Sequence, residues 1–193
     1  MTGRGVKRVA ALISGRGSNL QALLEAEQDA YEIALVVSNV PGAAGLERAR
    51  EAGVEAIALD HKPYGKNREA FERDLDALLI ARNIELVALA GFMRVLTPFF
   101  VNAWKNRLLN IHPSLLPKFP GTHTHARALE AGESEHGCTV HLVVEEVDSG
   151  EILGQARMPI ITGDTPETLA ERVLALEHKL YPECLAAFAA RMA

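Results

Sequence analysis

The sequence predicts an α/β fold with a mostly parallel, Rossmann-like open sheet that is flanked by helices and extended by a C-terminal antiparallel hairpin. In residues 1–100, apolar β-rich runs alternate with segments of helical period. Such alternation produces right-handed βαβ units and a parallel sheet. Further on, two alternating runs flank an Asp-Ser-Gly turn, which predicts the hairpin. The chain has 193 residues, 48% of them hydrophobic, so we expect a single domain.

The elements of the first half follow from hydrophobic periodicity. Leu20, Leu23 and Leu24 share one face of the first helix, and Phe71, Leu75, Leu78 and Leu79 share one face of the third. The predicted strands are Val6–Ile13, Glu32–Ser38, Ala56–Leu59 and Leu86–Ala90, and the predicted helices are Ser18–Asp29, Ala44–Ala52 (closed by Gly53) and Arg68–Arg82.

The second half contains longer alternating runs. Thr165 as N-cap and Pro166 in the first turn predict the start of a C-terminal helix, and Pro182 should kink or break that helix near Tyr181. The other predicted elements are a strand at Arg107–Ile111, a helix at Ala126–Ala131 and the two hairpin strands Cys138–Val147 and Ile152–Ile160.

The charge and composition narrow the classes of partner. The formal net charge is -5, and the basic residues Arg4, Lys7 and Arg8 form only a short N-terminal cluster. Nucleic acid is therefore not an expected partner. No apolar run approaches the length of a membrane span, and two cysteines make no disulfide framework. We expect a cytoplasmic protein that acts on small molecules as a monomer or homodimer.

The loop Ser14-Gly15-Arg16-Gly17-Ser18-Asn19 joins the first strand to the first helix. Its two glycines allow a tight turn, and the helix behind it offers free N–H groups and the positive end of its dipole. A phosphate would fit this loop. The alternative is a plain strand–helix turn in which Ser18 or Asn19 serves as N-cap.

A dinucleotide does not suit this loop. Leu20 occupies the position of the third glycine of G-x-G-x-x-G, and the second strand ends at Ser38 and Asn39 without the acid that would bind a ribose. No Walker-type G-x-x-x-x-G-K-[ST] is present either. A phosphate monoester fits better.

Asn110, His112 and Asp148 form the candidate catalytic group. Asn110 and His112 are two residues apart on a predicted strand and would share one face, just before Pro113 ends the strand. An Asn amide can donate to a developing oxyanion, a His can move a proton, and a neighbouring carboxylate would favour and orient the imidazolium. We expect Asp148 on a mobile, exposed loop. Alternatively, Asp148 only forms a turn and His112 is a satisfied buried histidine.

Metal and covalent chemistry are weaker hypotheses. The segment from His112 to His141 contains five histidines, but their spacing matches no zinc signature, so no metal is expected. His123 and His125 could line the pocket, and His141 could simply pack within its strand. Cys138 is predicted to be a small core residue, and no nucleophile motif surrounds Ser114.

Four motifs together resemble the phosphoribosylglycinamide formyltransferases of purine synthesis, a family that uses 10-formyltetrahydrofolate as formyl donor. The motifs are the segments 14–23 (SGRGSNLQAL), 90–94 (AGFMR), 110–121 (NIHPSLLPKFPG) and 136–141 (HGCTVH). The resemblance covers nearly the whole chain. It implies one formyltransferase domain over residues 1–193, with a phosphate-binding half at about 1–100 and a catalytic and folate-binding half at about 101–193.

The resemblance also implies a role for each site residue. Asn110 would bind the formyl oxygen, His112 would donate the proton and Asp148 would support His112. Glycinamide ribonucleotide would be held by Gly17, Ser18, Asn19 and Glu177. The folate would be bordered by Arg68, Met93, Arg94, Val95, Leu96 and Asn110.

Two positions depart from the family pattern, and two rival functions are open. Glu151 stands where proline is common, and Leu174 stands where a polar residue is common, so folate affinity and the outer phosphate contacts could differ. One rival is a formyltetrahydrofolate deformylase, which usually has an extra N-terminal domain for which this chain leaves no room. Another is a non-catalytic sugar-phosphate-binding protein. Methionyl-tRNA formyltransferase would need a further C-terminal domain and a basic RNA surface.

Overall fold

The computed structural model describes residues 5–26 and 29–192. Along the chain the strands are β1 (Lys7–Ile13), β2 (Tyr31–Ser38), β3 (Glu55–Ala58), β4 (Leu86–Leu89), β5 (Leu108–His112), β6 (Glu135–Leu142) and β7 (Ile152–Pro159). They form one sheet in the order β3-β2-β1-β4-β5-β6-β7. Strands β1 to β5 pair in parallel, whereas β6 is antiparallel to both β5 and β7. The predicted fold class is confirmed.

Helices cover both faces of the sheet. They are α1 (Ser18–Glu25), α2 (Ala44–Glu51), α3 (Arg68–Ile80), α4 (Pro98–Ala103), α5 (Thr124–Glu130) and α6 (Pro166–Arg191), with a short 3-10 helix at Lys62–Tyr64. Successive residues of β1 alternate between two buried clusters. Val9 and Ala11 belong to the cluster that contains residues of α1, α2 and α6, and Ala10 and Leu12 to the one that contains residues of α3 and α4. This period of two is what a strand buried on both faces requires.

The carboxyl ends of β1, β4 and β5 lie side by side, which brings together the segments at residues 14–19, 91–96 and 110–112. Ser14 ties two of these segments together. Its N–H donates to the Gly91 carbonyl (3.1 Å), and its hydroxyl oxygen accepts the Met93 N–H (2.8 Å). Ligands of open α/β sheets bind at the carboxyl ends of the strands.

The first predicted helix is too long. It ends at Glu25 rather than Asp29, because Ala26 is extended and the chain must return to the start of the sheet. There Tyr31 pairs with Lys7, whose N–H donates to the Ala30 carbonyl (2.9 Å). Residues 27–28 of the predicted helix, like Arg4 of the basic cluster, lie outside the described residues.

The break predicted at Tyr181 is also wrong. Helix α6 continues through Pro182 to Arg191. Proline removes one hydrogen bond from a helix interior. Burial compensates for it here, since Tyr181 and Leu185 on either side of Pro182 are fully buried, and the Tyr181 hydroxyl donates to the carbonyls of Leu89 and Leu109.

Several other boundaries shift. Strand β6 ends at Leu142 rather than Val147, and α5 begins at Thr124, two residues earlier than predicted. Helix α4 and the 3-10 helix were not predicted, because segments of six and three residues show too little periodicity.

Candidate active site

Asn110 and His112 lie at the carboxyl end of β5 and share one face of the strand, as the sequence predicts. Across the antiparallel pair, Asn110 is opposite His141 and His112 is opposite Thr139. His112 is 5% exposed. The strand therefore holds the Asn110 amide and the His112 imidazole together in a partly enclosed region at the carboxyl end of β5, which we call the catalytic corner.

The Asp148 carboxylate joins this corner from the loop that follows β6. Its Oδ2 is 3.5 Å from His112 Nδ1, and its Oδ1 is 3.6 Å from His141 Nε2. The Gly121 N–H donates to Oδ2 (2.8 Å). The loop is exposed at residues 144–147 and 149, as predicted, but the Asp148 side chain turns inward and is only 11% exposed. The turn has a left-handed residue at Asp148 (φ 51°), and the Gly121 bond holds the carboxylate inward.

The hydrogen bonds of His112 assign its ring nitrogens. Nε2 is 3.0 Å from the Phe119 carbonyl, which can only accept, so Nε2 carries a proton. Nδ1 then faces the Asp148 carboxylate, and a second proton on the ring would lie between these two groups. The Phe119 carbonyl thus accepts a hydrogen bond from His112, and the Gly121 N–H donates one to Asp148.

His141 is a site residue that sequence reasoning assigned to packing. Its Nδ1 donates to the Leu142 carbonyl (2.9 Å), so its Nε2 is free to accept the Asn110 amide N–H (3.3 Å). Burial lowers the pKa of His141, and the Leu142 bond and the Asp148 charge oppose that shift only in part. A neutral His141 therefore orients Asn110. Only the register between β5 and β6 reveals this pairing.

A cavity opens beside this corner. Asn110, His141 and Asp148 line it, together with Phe92, Arg94, Val95 and Leu96. Arg68 lies in an adjoining pocket that shares Arg94 and Val95, and its guanidinium donates to the Val95 carbonyl (3.2 Å). Met93 is 80% exposed and lines neither pocket, and its N–H donates to the Ser14 hydroxyl oxygen. The structure thus brings the other predicted folate-binding residues to one side of the catalytic corner.

The loop of residues 14–19, called the phosphate loop after its predicted ligand, has the geometry of a site at which backbone N–H groups bind an anion. Gly17 precedes α1 in a left-handed conformation (φ 72°), and no side chain caps the helix. A Cβ on Gly17 would lie 2.9 Å from the Cα of Gly45. Ser18 is the first residue of α1, so the alternative in which Ser18 or Asn19 caps this helix is wrong. The first N–H groups of α1 are available for an anion.

Asn19 and Glu177 meet behind this loop. The Asn19 amide donates to Glu177 Oε2 (2.7 Å), and the two residues are 9% and 6% exposed. Burial raises the pKa of Glu177, and the bond from Asn19 opposes it. The Asn19 Oδ1 is buried and has no hydrogen-bond partner among the described residues. A ligand donor would satisfy it.

The remaining histidines of the 112–141 segment form a separate pair. His125 and His136 contact each other through ring nitrogens (3.2 Å), and His123 is exposed. Burial lowers the pKa of His136 to about 4. Over residues 5–26 and 29–192, no three His, Cys, Asp or Glu side chains are grouped to hold a metal ion. In the same ranges, no helix is long and apolar enough to cross a membrane.

Comparison with known proteins identifies the family of the chain. The family model described as "Formyl transferase" matches residues 7–185 of the chain. The chain belongs to the formyl transferase family. It is 45% identical over 184 residues to the phosphoribosylglycinamide formyltransferase of Escherichia coli, covering 94% of this chain and 86% of that protein.

Other members of the formyl transferase family are similar over the same length. The glycinamide ribonucleotide transformylase 1 of Symbiobacterium toebii has a crystal structure with a TM-score of 0.91, 46% identity and coverage of 96% of this chain and 88% of that one. The trifunctional purine biosynthetic protein adenosine-3 of Drosophila pseudoobscura pseudoobscura is 52% identical over 188 residues, or 95% of this chain. The chain spans only 14% of that longer relative.

Proposed function

We propose that this chain transfers the formyl group of 10-formyltetrahydrofolate to the amine of glycinamide ribonucleotide, within a single domain over residues 1–193. One observation carries the proposal. Asn110, His112 and Asp148 converge at a sheet edge that also carries a phosphate loop and a cavity for a second substrate. Relatives with this activity in their names are 45–46% identical to the chain over most of its length.

The acceptor would bind at the carboxyl end of β1. Backbone N–H groups of Gly17, Ser18 and Asn19 suit a phosphate monoester, because an anion is favoured at a helix N-terminus. The unpartnered Asn19 Oδ1 and the Glu177 carboxylate beside it suit the hydroxyl groups of a ribose. Leu174 provides no polar contact from its turn of α6, so the phosphate would depend more on the loop backbone.

The formyl donor would occupy the cavity at the carboxyl ends of β4 and β5. Phe92 and Val95 give it apolar walls, whereas the backbone of segment 93–96 offers hydrogen-bonding groups to a pterin. Arg68 would face the acidic tail of a folate from the adjoining pocket. The donor enters as a cosubstrate, and this chemistry uses no metal.

The transfer would proceed through a tetrahedral intermediate. The amine nitrogen attacks the formyl carbon, and the C=O electrons move onto oxygen. Asn110 has two amide N–H groups, one of which is directed to His141. The other can donate to the oxyanion, where a fixed donor stabilises charge most effectively.

Collapse of the intermediate requires one proton to move. The attacking amine loses a proton, N10 of tetrahydrofolate gains one, and the C–N10 bond breaks. Asp148 lines the cavity, and His112 contacts Asp148 through Nδ1. We infer that the proton passes from the amine nitrogen to N10 through this pair: His112 is the donor, and its proton reaches the substrate by way of Asp148, the member of the pair that lines the cavity.

The test is an absorbance assay for tetrahydrofolate formation, with and without glycinamide ribonucleotide. The proposal expects product only when the acceptor is present, in an amount equal to the formylated acceptor. Release of tetrahydrofolate without acceptor would indicate hydrolysis and contradict the proposal, as would absence of product under both conditions.

A further inference from the structure

Helix α3 carries a buried carboxylate that the proposed reaction does not use. Glu72 is 2% exposed, and no ion pair to it is present in the described residues. Both oxygens accept hydrogen bonds from Thr97, one from its N–H (2.9 Å) and one from its hydroxyl. Burying a carboxyl group is costly unless its oxygens are hydrogen-bonded, so the two bonds to Thr97 are what allow Glu72 to be buried here.

Thr97 ends the segment that lines the donor cavity. It is the N-cap of α4 and does not cap that helix with its own side chain. Leu96 and Val95, directly before it, lie on the cavity wall. The position of Thr97 therefore sets where the wall ends and α4 begins.

The same face of α3 contacts this segment at two further points. Arg68 donates to the Val95 carbonyl, and the Arg94 guanidinium lies over the Phe71 ring (5.0 Å to its centroid). Residues 68, 71 and 72 are spaced i, i+3 and i+4, so they project from one side of the helix. The segment needs such support, because Met93 and Val95 are 80% and 62% exposed and contribute little packing.

We propose that Glu72 is a positioning residue for the formyl donor: through Thr97 it fixes the 93–97 backbone that receives the folate. This inference rests on the proposed function. The hydrogen bonds of Glu72 in the described residues go to Thr97, whereas the acceptor loop is linked to this segment at its other end, where the Met93 N–H donates to Ser14. Loss of the contact should therefore weaken donor binding selectively.

The experiment compares steady-state constants of Glu72→Gln, Thr97→Val and Thr97→Ser. In the first two, KM for 10-formyltetrahydrofolate should rise about tenfold, because Gln replaces one accepting oxygen of Glu72 with a donor and Val removes the Thr97 hydroxyl. KM for glycinamide ribonucleotide should stay within about twofold and kcat within about threefold, because the catalytic corner is untouched. Thr97→Ser keeps the hydroxyl and should behave as wild type.

Asp76→Asn is the matched structural control. Asp76 lies one turn further along α3 and accepts the Trp104 indole N–H (2.9 Å), away from the cavity. It should lower the melting temperature without changing the donor KM. An unchanged donor KM in Glu72→Gln, or equal increases in both KM values, would overturn the inference. A wild-type chain with no transferase activity would instead contradict the proposed function.

Discussion

The two loops that define the ends of the site are held in different ways. The phosphate loop is shaped by its backbone: Gly17 is left-handed and packs against Gly45 with no room for a side chain. The Asp148 loop is shaped by side chains: its carboxylate contacts His112 and His141 and accepts the Gly121 N–H. The phosphate loop should therefore bind the acceptor without taking part in the reaction. The Asp148 loop should take part in the reaction with little effect on acceptor binding.

The difference also separates what is local in sequence from what is not. The sequence pattern of the phosphate loop lies in six consecutive residues and the helix that follows them, although Gly45 of α2 packs against the loop. The catalytic corner needs β5, β6 and two loops, so its geometry depends on the antiparallel register. The two loops should therefore have separate functions, which variants in each loop can test.

The largest expected effect is in the catalytic corner. Asp148→Asn and His112→Ala should each lower kcat by about 10²–10⁴-fold, because proton transfer is lost. Both KM values should change little. The check is kcat from the tetrahydrofolate assay, with circular dichroism to show that the fold is intact. Near-normal turnover in both folded variants would eliminate the proposed mechanism.

His141 tests whether Asn110 needs an orienting partner. His141→Phe keeps a ring of similar size but cannot accept the Asn110 N–H, so kcat should fall by about 30-fold, less than loss of a direct oxyanion donor. His123→Asn changes an exposed histidine of the same half and should leave kcat unchanged. If His141→Phe turns over normally, then packing is its only role.

Gly17 tests the backbone loop. Gly17→Ala forces an L side chain into a left-handed conformation and onto the Gly45 backbone, so KM for glycinamide ribonucleotide should rise about tenfold. Gly15→Ala is the matched control, because its Cβ would meet nothing within 4 Å. A drop in kcat with unchanged KM in Gly17→Ala would mean that the loops do not divide the work in this way.

Acid should destabilise the folded protein through the buried His136. The folded pKa of His136 is about 4, below the ordinary 6.5, so the unfolded state binds more protons between these values. Stability is then lost as pH falls from 6.5 to 4, by about 3 kcal/mol for this one group. Urea titrations across this range should show a weaker pH dependence for His136→Asn than for wild type or His123→Asn. Equal slopes in all three would contradict it.

Much of the architecture was predictable because strand and helix periods in this chain are strong. The βαβ order and the antiparallel hairpin were both expected. Helix α6 passes through Pro182 because tertiary burial outweighs a local preference, and no local pattern indicates that.

The candidate site was predictable only where neighbours in sequence are neighbours in space. Asn110 and His112 share a strand face, and the loop at Gly17 precedes a helix. The partnership of Asn110 with His141 was not expected, since it follows from the β5–β6 register. The contacts of Glu72 with Thr97 and of Asp148 with Gly121 join distant segments, and sequence spacing does not reveal them.

A double-mutant cycle on His112 and Asp148 tests whether these two side chains handle one proton as a unit. The measurement is kcat for His112→Ala, for Asp148→Asn and for the double variant, with glycinamide ribonucleotide saturating. The double variant should be no slower than the slower single variant, because either change removes the same function. If the two losses multiply, the residues act independently and do not form such a unit.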